Sequence, residues 1–167
     1  MQGAPILGQR VGPYELLHKI SVGGMAETFL AKRCGPGGFE QQVCLKRVLP
    51  AFAQDHEFVR LFLDEARLAA QLRHTNIVQV YDFGLEGDAY YMALELIEGM
   101  DLRQLLEVLE KQQRTIPPEV VAIIATELTS ALEYAHSLEI NNKHAGVVHR
   151  DISPSNVLLS YTGSVKL

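Results

Sequence analysis

His149-Arg150-Asp151-Ile152-Ser153-Pro154-Ser155-Asn156 is the stretch on which the reading of this chain turns. An aspartate and an asparagine stand five residues apart on a Pro-containing loop that runs into the apolar Val157-Leu158-Leu159. Taken singly, Asp151 suits a cap or a turn. His149 with Asp151 also resembles part of a hydrolytic dyad, but no Gly-x-Ser-x-Gly elbow accompanies it. The whole eight-residue run is far more specific than any of its members.

Upstream of the loop the chain changes character once. Tyr14–Ile20, Glu27–Ala31 and Gln42–Leu49 alternate as strands, with a glycine turn after Ile20 and a glycine-rich loop from Cys34 to Phe39. Phe58, Leu61, Phe62, Leu68, Ala69 and Leu72 then form a stripe of helical period. Strands are expected at Ile77–Phe83 and Ala89–Ile97, joined by a hairpin through Leu85-Glu86-Gly87-Asp88. From Asp101 onward the pattern is helical. Leu102, Leu105, Leu106 and Leu109 make a short helix. A longer one opens at Pro117-Pro118 and carries Val120, Ile124, Leu128, Ala131, Leu132 and Leu138. Five strands with one helix, followed by helices, predict an α+β chain of two lobes. The expected parts are an N-terminal extension (1–13), a first lobe (14–97) and a second lobe (98–167), hinged near Leu96–Gly99.

Composition sets the outer limits. The 167 residues are 47% apolar and 21% charged, as in a well-cored globular protein. A formal charge of −5 without a basic stripe argues against nucleic-acid binding. No apolar run is long enough for a membrane span, and the first residues lack the basic start and apolar core of a leader, so a cytoplasmic location is expected. Cys34 and Cys44 form no Cys-x-x-Cys pair, and His18, His56, His74, His136 and His144 are scattered without metal-ligand spacing.

Two further features invite chemistry. Glu65 falls within the apolar stripe of its helix, where a carboxylate is costly unless paired. Strand alternation puts Lys46 on the same face as Cys44 and Val48 and makes it an available cation. Breaking such a partly buried pair would cost ~3–5 kcal/mol. The plainer reading is a solvent-facing lysine and a glutamate at the stripe's edge. The turn Ile20-Ser21-Val22-Gly23-Gly24-Met25-Ala26-Glu27 lies between two strands and could present backbone N–H groups to phosphates, or be a simple hairpin.

Taken in order, the glycine turn, Lys46, Glu65, the segment Met92–Gly99 and the His149–Asn156 loop resemble the bacterial, eukaryotic-like serine/threonine protein kinases. The resemblance runs from Tyr14 to the last residue, and includes His74-Thr75-Asn76-Ile77-Val78. It implies a protein-kinase-like fold: a five-stranded antiparallel first lobe with one main helix, then the first helices and catalytic loop of a helical second lobe. It also implies a roof for adenine from Ile20, Thr28 and Cys44 and a floor from Leu158, with Leu94 as gatekeeper. Glu95 and Ile97 would meet the adenine edge through their backbone, and Asp101 the ribose. Ser21, Gly23 and Gly24 would cover the phosphates, and Lys46, fixed by Glu65, would grip them. Asp151 would be the catalytic base and Asn156 a magnesium ligand. The implied cofactors are ATP and Mg2+, and the implied partner is a protein with a serine or threonine acceptor; Pro154 suits that class rather than the tyrosine kinases.

The chain departs from the family pattern in three places. Ser21 and Ala26 stand where glycine is usual, and Ser153 replaces a lysine that reaches the transferred phosphate. Ser164-Val165-Lys166-Leu167 looks like the strand that leads into Asp-Phe-Gly, so a truncated kinase portion, inactive and marginally stable alone, is expected. The long helix would then leave an apolar face uncovered. The alternative is a short inactive kinase-like module that binds nucleotide or a protein.

Overall fold

Tyr14, Leu16, Phe29, Ala31, Val43, Leu45, Tyr91 and Ala93 are all buried and form one cluster, together with Val11. They are the inward members of alternating runs, and they identify the sheet that organises the first part of the chain. The computed structural model describes residues 8–140 and 143–167, with Lys143 and His144 described by their backbone alone. The start expected to carry no leader, residues 1–7, lies outside these residues, as does the His144 side chain.

The chain divides into two units. The first runs to Gln71 and resumes at Gln79–Leu96. It contains β1 (Arg10–Val11), β2 (Tyr14–Val22), β3 (Ala26–Cys34), β4 (Glu40–Val48), α1 (Pro50–Ala53), α2 (His56–Ala69), β5 (Val80–Glu86) and β6 (Ala89–Glu95). All pairings are antiparallel, in the order β1-β2-β3-β4-β6-β5. The short β1 extends the five expected strands, because Val11 opposite Tyr14 enters the core at 3% exposure. The other face carries Val48, Val80 and Met92 against Phe62 and Ala66 of α2. Asp55 caps α2 by accepting from the amides of Glu57 and Phe58, which satisfies donors that the first helical turn leaves open.

Three expectations change here. The buried residues of α2 are Val59, Phe62 and Ala66, while Leu61 and Leu68 of the expected stripe are exposed. Two overlapping sets in α2 both have helical period, and contact with Val48, Val80 and Met92 selects one of them. Second, the strand expected from Ile77 begins at Val80. Third, Leu72–Val78 belongs to the other unit. There the amide of Val78 donates to Leu167 O, and the amide of Leu167 to Asn76 O, both at 2.8 Å.

The second unit, Leu72–Val78 with Ile97–Leu167, holds β7 (Gly99–Asp101), α3 (Leu102–Lys111), α4 (Pro118–His136), β8 (Glu139–Ile140), β9 (Lys143–His144), β10 (Leu158–Ser160) and β11 (Val165–Lys166). Strands β7 and β11 flank β10, and β8 pairs with β9. β7 and β10 approach so closely that a Cβ on Gly99 would lie 2.0 Å from Leu159 O. Ile124, Val157 and Val165 form one core cluster, and Leu72, Ile77, Ala131 and Ala135 another. Along α4, Ile124 and Ala131 are buried as expected, but Val120 is exposed and Leu138 lies beyond the helix. Val121 and Ile123 of α4 and Leu106 and Val108 of α3 are exposed as well, so apolar surface on these helices is uncovered. Among the described residues, no helix is long and apolar enough to cross a membrane.

Candidate active site

In the first unit, strand register gathers several of the residues singled out by sequence. Thr28 lies opposite Ser21 on one side and Lys46 on the other. Cys44 lies opposite Leu94. Directly opposed residues share a face, and alternation puts Lys46 and Cys44 on the same one. Val48 and Met92, packed toward α2, identify that face. Burial raises the Cys44 thiol to about 11, with the Lys46 charge opposing the shift, so the thiol is neutral at physiological pH. A neutral thiol is a small, soft, apolar-like surface, which suits contact with an aromatic base.

The glycine turn caps the β2–β3 hairpin. Gly23 donates to Ala26 O at 2.8 Å, and the Leu49 amide to Met25 O at 3.0 Å. A Cβ on Gly24 would meet nothing within 4 Å, so the turn borders open space there. Ile20 sits at a register irregularity between Lys19 and Ser21 and is exposed. Glu95 is anchored by its amide to Gln79 O at 2.8 Å, and its carboxylate accepts from the Gln79 amide at 3.2 Å.

The expected partly buried Lys46–Glu65 pair is not formed. Glu65 is exposed, and no ion pair joins it to Lys46. Glu65 flanks the Val59–Phe62–Ala66 face instead of lying within it, so burial does not force it to find a cation. The buried carboxylate of this unit is Glu27, 5% exposed, which the sequence reading did not single out. Arg47 donates to its Oε1 through Nε at 2.9 Å and Nη2 at 2.5 Å, and Lys19 Nζ lies 2.7 Å from its Oε2. A signal was present: Glu27 precedes Phe29 and Ala31 in the inward alternation of β3.

In the second unit the loop folds onto itself. The Asn156 side-chain amide donates to Asp151 Oδ2 at 2.8 Å and to Asp151 O at 3.0 Å. Asn156 closes a 3-10 turn, Pro154–Asn156, through its backbone amide to Ser153 O at 2.9 Å. Val157, 2% exposed, anchors the loop in the core. Arg150, directly before Asp151, holds φ +64, a conformation uncommon outside glycine. Leu158 pairs with Asp101, whose carboxylate accepts from the Gln104 amide at 2.8 Å and caps α3. Ile97 opens this unit's second segment.

Asn156 has one side-chain oxygen that could serve a magnesium ion. With Nδ2 committed to Asp151, no hydrogen bond engages Oδ1 among the described residues, and an amide oxygen is a suitable ligand for a hard cation. Asp151 is exposed, and among the described residues no hydrogen bond engages its Oδ1.

A curled antiparallel sheet carrying one main helix, followed by helices and an Asp–Asn loop, defines a protein kinase fold. The chain belongs to the protein kinase domain family, whose profile matches residues 14–167. It is 43% identical to the tyrosine-protein kinase MasK of Myxococcus xanthus over 98% of this chain and 25% of that protein. It is 35% identical to the serine/threonine-protein kinase PrkC of Bacillus subtilis over 97% of this chain and 23% of that protein. Among solved structures, the Mycobacterium tuberculosis PknI kinase domain matches with a TM-score of 0.74 and 30% identity, over 98% of this chain and 62% of that one. The chain thus spans about a quarter of these curated relatives and about three fifths of that kinase domain.

Proposed function

We propose that this chain is the nucleotide-binding and catalytic-loop portion of a bacterial protein kinase that transfers the γ-phosphoryl group of Mg-ATP to serine or threonine hydroxyls. The Asn156–Asp151 contact carries the reading, because one hydrogen bond sets a base and a metal ligand side by side. The nucleotide and its magnesium supply the phosphoryl group and neutralise its charge. Lys46 holds the nucleotide phosphates, Cys44 and Leu94 border the adenine, and the Gly23–Gly24 turn covers the phosphates. Asn156 Oδ1 holds the ion, and Asp151 orients the acceptor hydroxyl and takes its proton. Ser153 brings no charge to the transferred phosphate, which slows the step.

Transfer of radiolabel from γ-labelled ATP to a protein acceptor, measured on the kinase of which this chain would be a portion, tests this reading; the chain alone is expected to transfer none. Loss on Asp151→Asn and on Lys46→Ala supports it, and label retained by either variant overturns it. Phosphoamino-acid analysis decides the acceptor: MasK is named a tyrosine kinase, whereas PrkC is named for serine and threonine. The exposed Glu65, without an ion pair to Lys46, and the serine at position 153 favour a second reading, a nucleotide-binding or protein-interaction module. Mg-ATP bound without any transfer would establish it.

A further inference from the structure

Near the glycine turn, little apolar burial is available to fix strand register. Ile20, Val22 and Met25 are 53%, 60% and 54% exposed. The β2–β3 pairing is also irregular, shifting between Leu16 and His18 and again between Lys19 and Ser21. Register is weakly specified where neither face is buried, and a one-residue slip turns every side chain to the opposite face.

A charged cluster occupies this end of the sheet. Glu27 pairs in register with Val22 across the hairpin and with Arg47 on β4. Its two carboxylate oxygens are divided between strands: Oε1 accepts from Arg47, and Oε2 meets Lys19 on β2. Both cations lie over the Phe29 ring, Lys19 Nζ at 5.4 Å and Arg47 Cζ at 4.9 Å from its centroid. Burial raises the Glu27 carboxyl, and hydrogen bonds and charge from Lys19 and Arg47 outweigh it, leaving its pKa below the usual value. Buried ion pairs add little net stability compared with apolar packing; their best-attested use is to fix register.

The neighbours of this cluster along the chain are residues that would meet the nucleotide, Lys46 and the glycine turn its phosphates and Thr28 its adenine. Thr28 follows Glu27, Lys46 precedes Arg47, and Thr28 and Lys46 are themselves opposed on the other face. The turn Gly23-Gly24 begins directly after Val22, the cross-strand partner of Glu27. Fixing Glu27 to Arg47 and Lys19 therefore fixes the glycine turn relative to Lys46.

We propose that Glu27 is a positioning residue for nucleotide phosphates, holding the glycine turn and Lys46 in the register that lets both act on one phosphate chain. This rests on the nucleotide-binding reading given above. It predicts an effect on phosphate recognition that a general loss of stability would not produce.

The test compares dissociation constants for Mg-ATP and for adenosine, measured by calorimetry on the protein and on its Glu27→Gln variant. The variant should bind adenosine within about twofold of the parent while losing about tenfold or more in Mg-ATP affinity, the scale of one charge-assisted hydrogen bond. An unchanged preference for Mg-ATP over adenosine, or an equal loss for both ligands, overturns the proposal. Should Glu27→Gln fail to fold, Lys19→Met reads the same ratio while keeping the Glu27–Arg47 bonds. There a fall in the Mg-ATP preference supports the role and an unchanged ratio removes it. A parent protein with no preference for Mg-ATP would overturn the nucleotide reading, and the positioning role with it. A parent that prefers Mg-ATP, with variants that keep the same preference, overturns the positioning role alone.

Discussion

Asn156 donates its side-chain amide to Asp151 Oδ2 at 2.8 Å. The bond orients the proposed base and turns the asparagine so that its own oxygen is left for a cation. Substituting either residue should therefore damage different steps. In the kinase of which this chain would be a portion, Asp151→Asn should lower kcat by about 10²–10⁴, the range for loss of a positioned general base, with Mg-ATP affinity little changed. Asn156→Ala should lower kcat and also raise the magnesium concentration needed for half-maximal rate. Identical magnesium dependence in the parent and Asn156→Ala would remove the metal-ligand role.

Glu65 and Lys46 offer a contrast in magnitude. A partly buried pair would make loss of Glu65 cost ~3–5 kcal/mol. The exposed position of Glu65, without an ion pair, puts Glu65→Ala within about 0.5 kcal/mol of the parent instead. Urea unfolding at neutral pH distinguishes the two. A loss of several kcal/mol would mean that the pair exists in solution.

The difference between these two pairs shows how far the sequence could be read. Asp151 and Asn156 lie within one short loop, so their spacing alone nearly sets their contact. Thr28, Cys44, Lys46 and Leu94 were also within reach, because strands have a fixed period of two and alternation assigns each residue a face. Glu65 was not, because Phe58–Leu61 and Val59–Phe62–Ala66 both satisfy helical period and only the packed sheet selects between them. Ile77 looked like the start of a strand because its segment is apolar, but its amide closes a turn onto His74 O and its neighbours bond to Leu167, a partner that no local pattern reveals. Glu27 escaped notice because its two cations reach it from separate strands whose register is set only on folding.

Asn76 shows the same long-range logic as a stability determinant. It is 4% exposed; its side-chain amide donates to Val165 O at 2.9 Å and also to the Glu127 carboxylate. Its carbonyl accepts from the Leu167 amide. Asn76→Ala leaves two acceptors without that donor and should cost about 1–3 kcal/mol. Hydrogen exchange should show the loss at Val165–Leu167 and around Glu127 in α4, with the β2–β4 amides unaffected. Uniform loss of protection across both units would contradict this assignment.

Tyr14 links the sheet's first long strand to β5, and its ionisation should set the alkaline limit of the first unit. Its hydroxyl donates to Asp82 Oδ2 at 3.2 Å, and its ring, 1% exposed, packs edge-on against Tyr91 at 5.9 Å. Burial, then the Asp82 charge and hydrogen bond, raise the Tyr14 pKa from 10.0 to about 12. A raised folded-state pKa means that the folded protein binds the phenolic proton more tightly than the unfolded chain does. The resulting stability is fully present below pH 10 and is lost as pH rises toward about 12. Tyr91, also raised by burial and then by Asp82, keeps part of this slope when Tyr14 is removed. Tyr14→Phe should thus be less stable than the parent at neutral pH by about 1 kcal/mol, the net worth of one hydrogen bond. Across the alkaline window its urea midpoint should fall less steeply, so the two proteins converge. Parallel midpoints from neutral pH to pH 12 would show that Tyr14 titrates alike in the folded and unfolded chains.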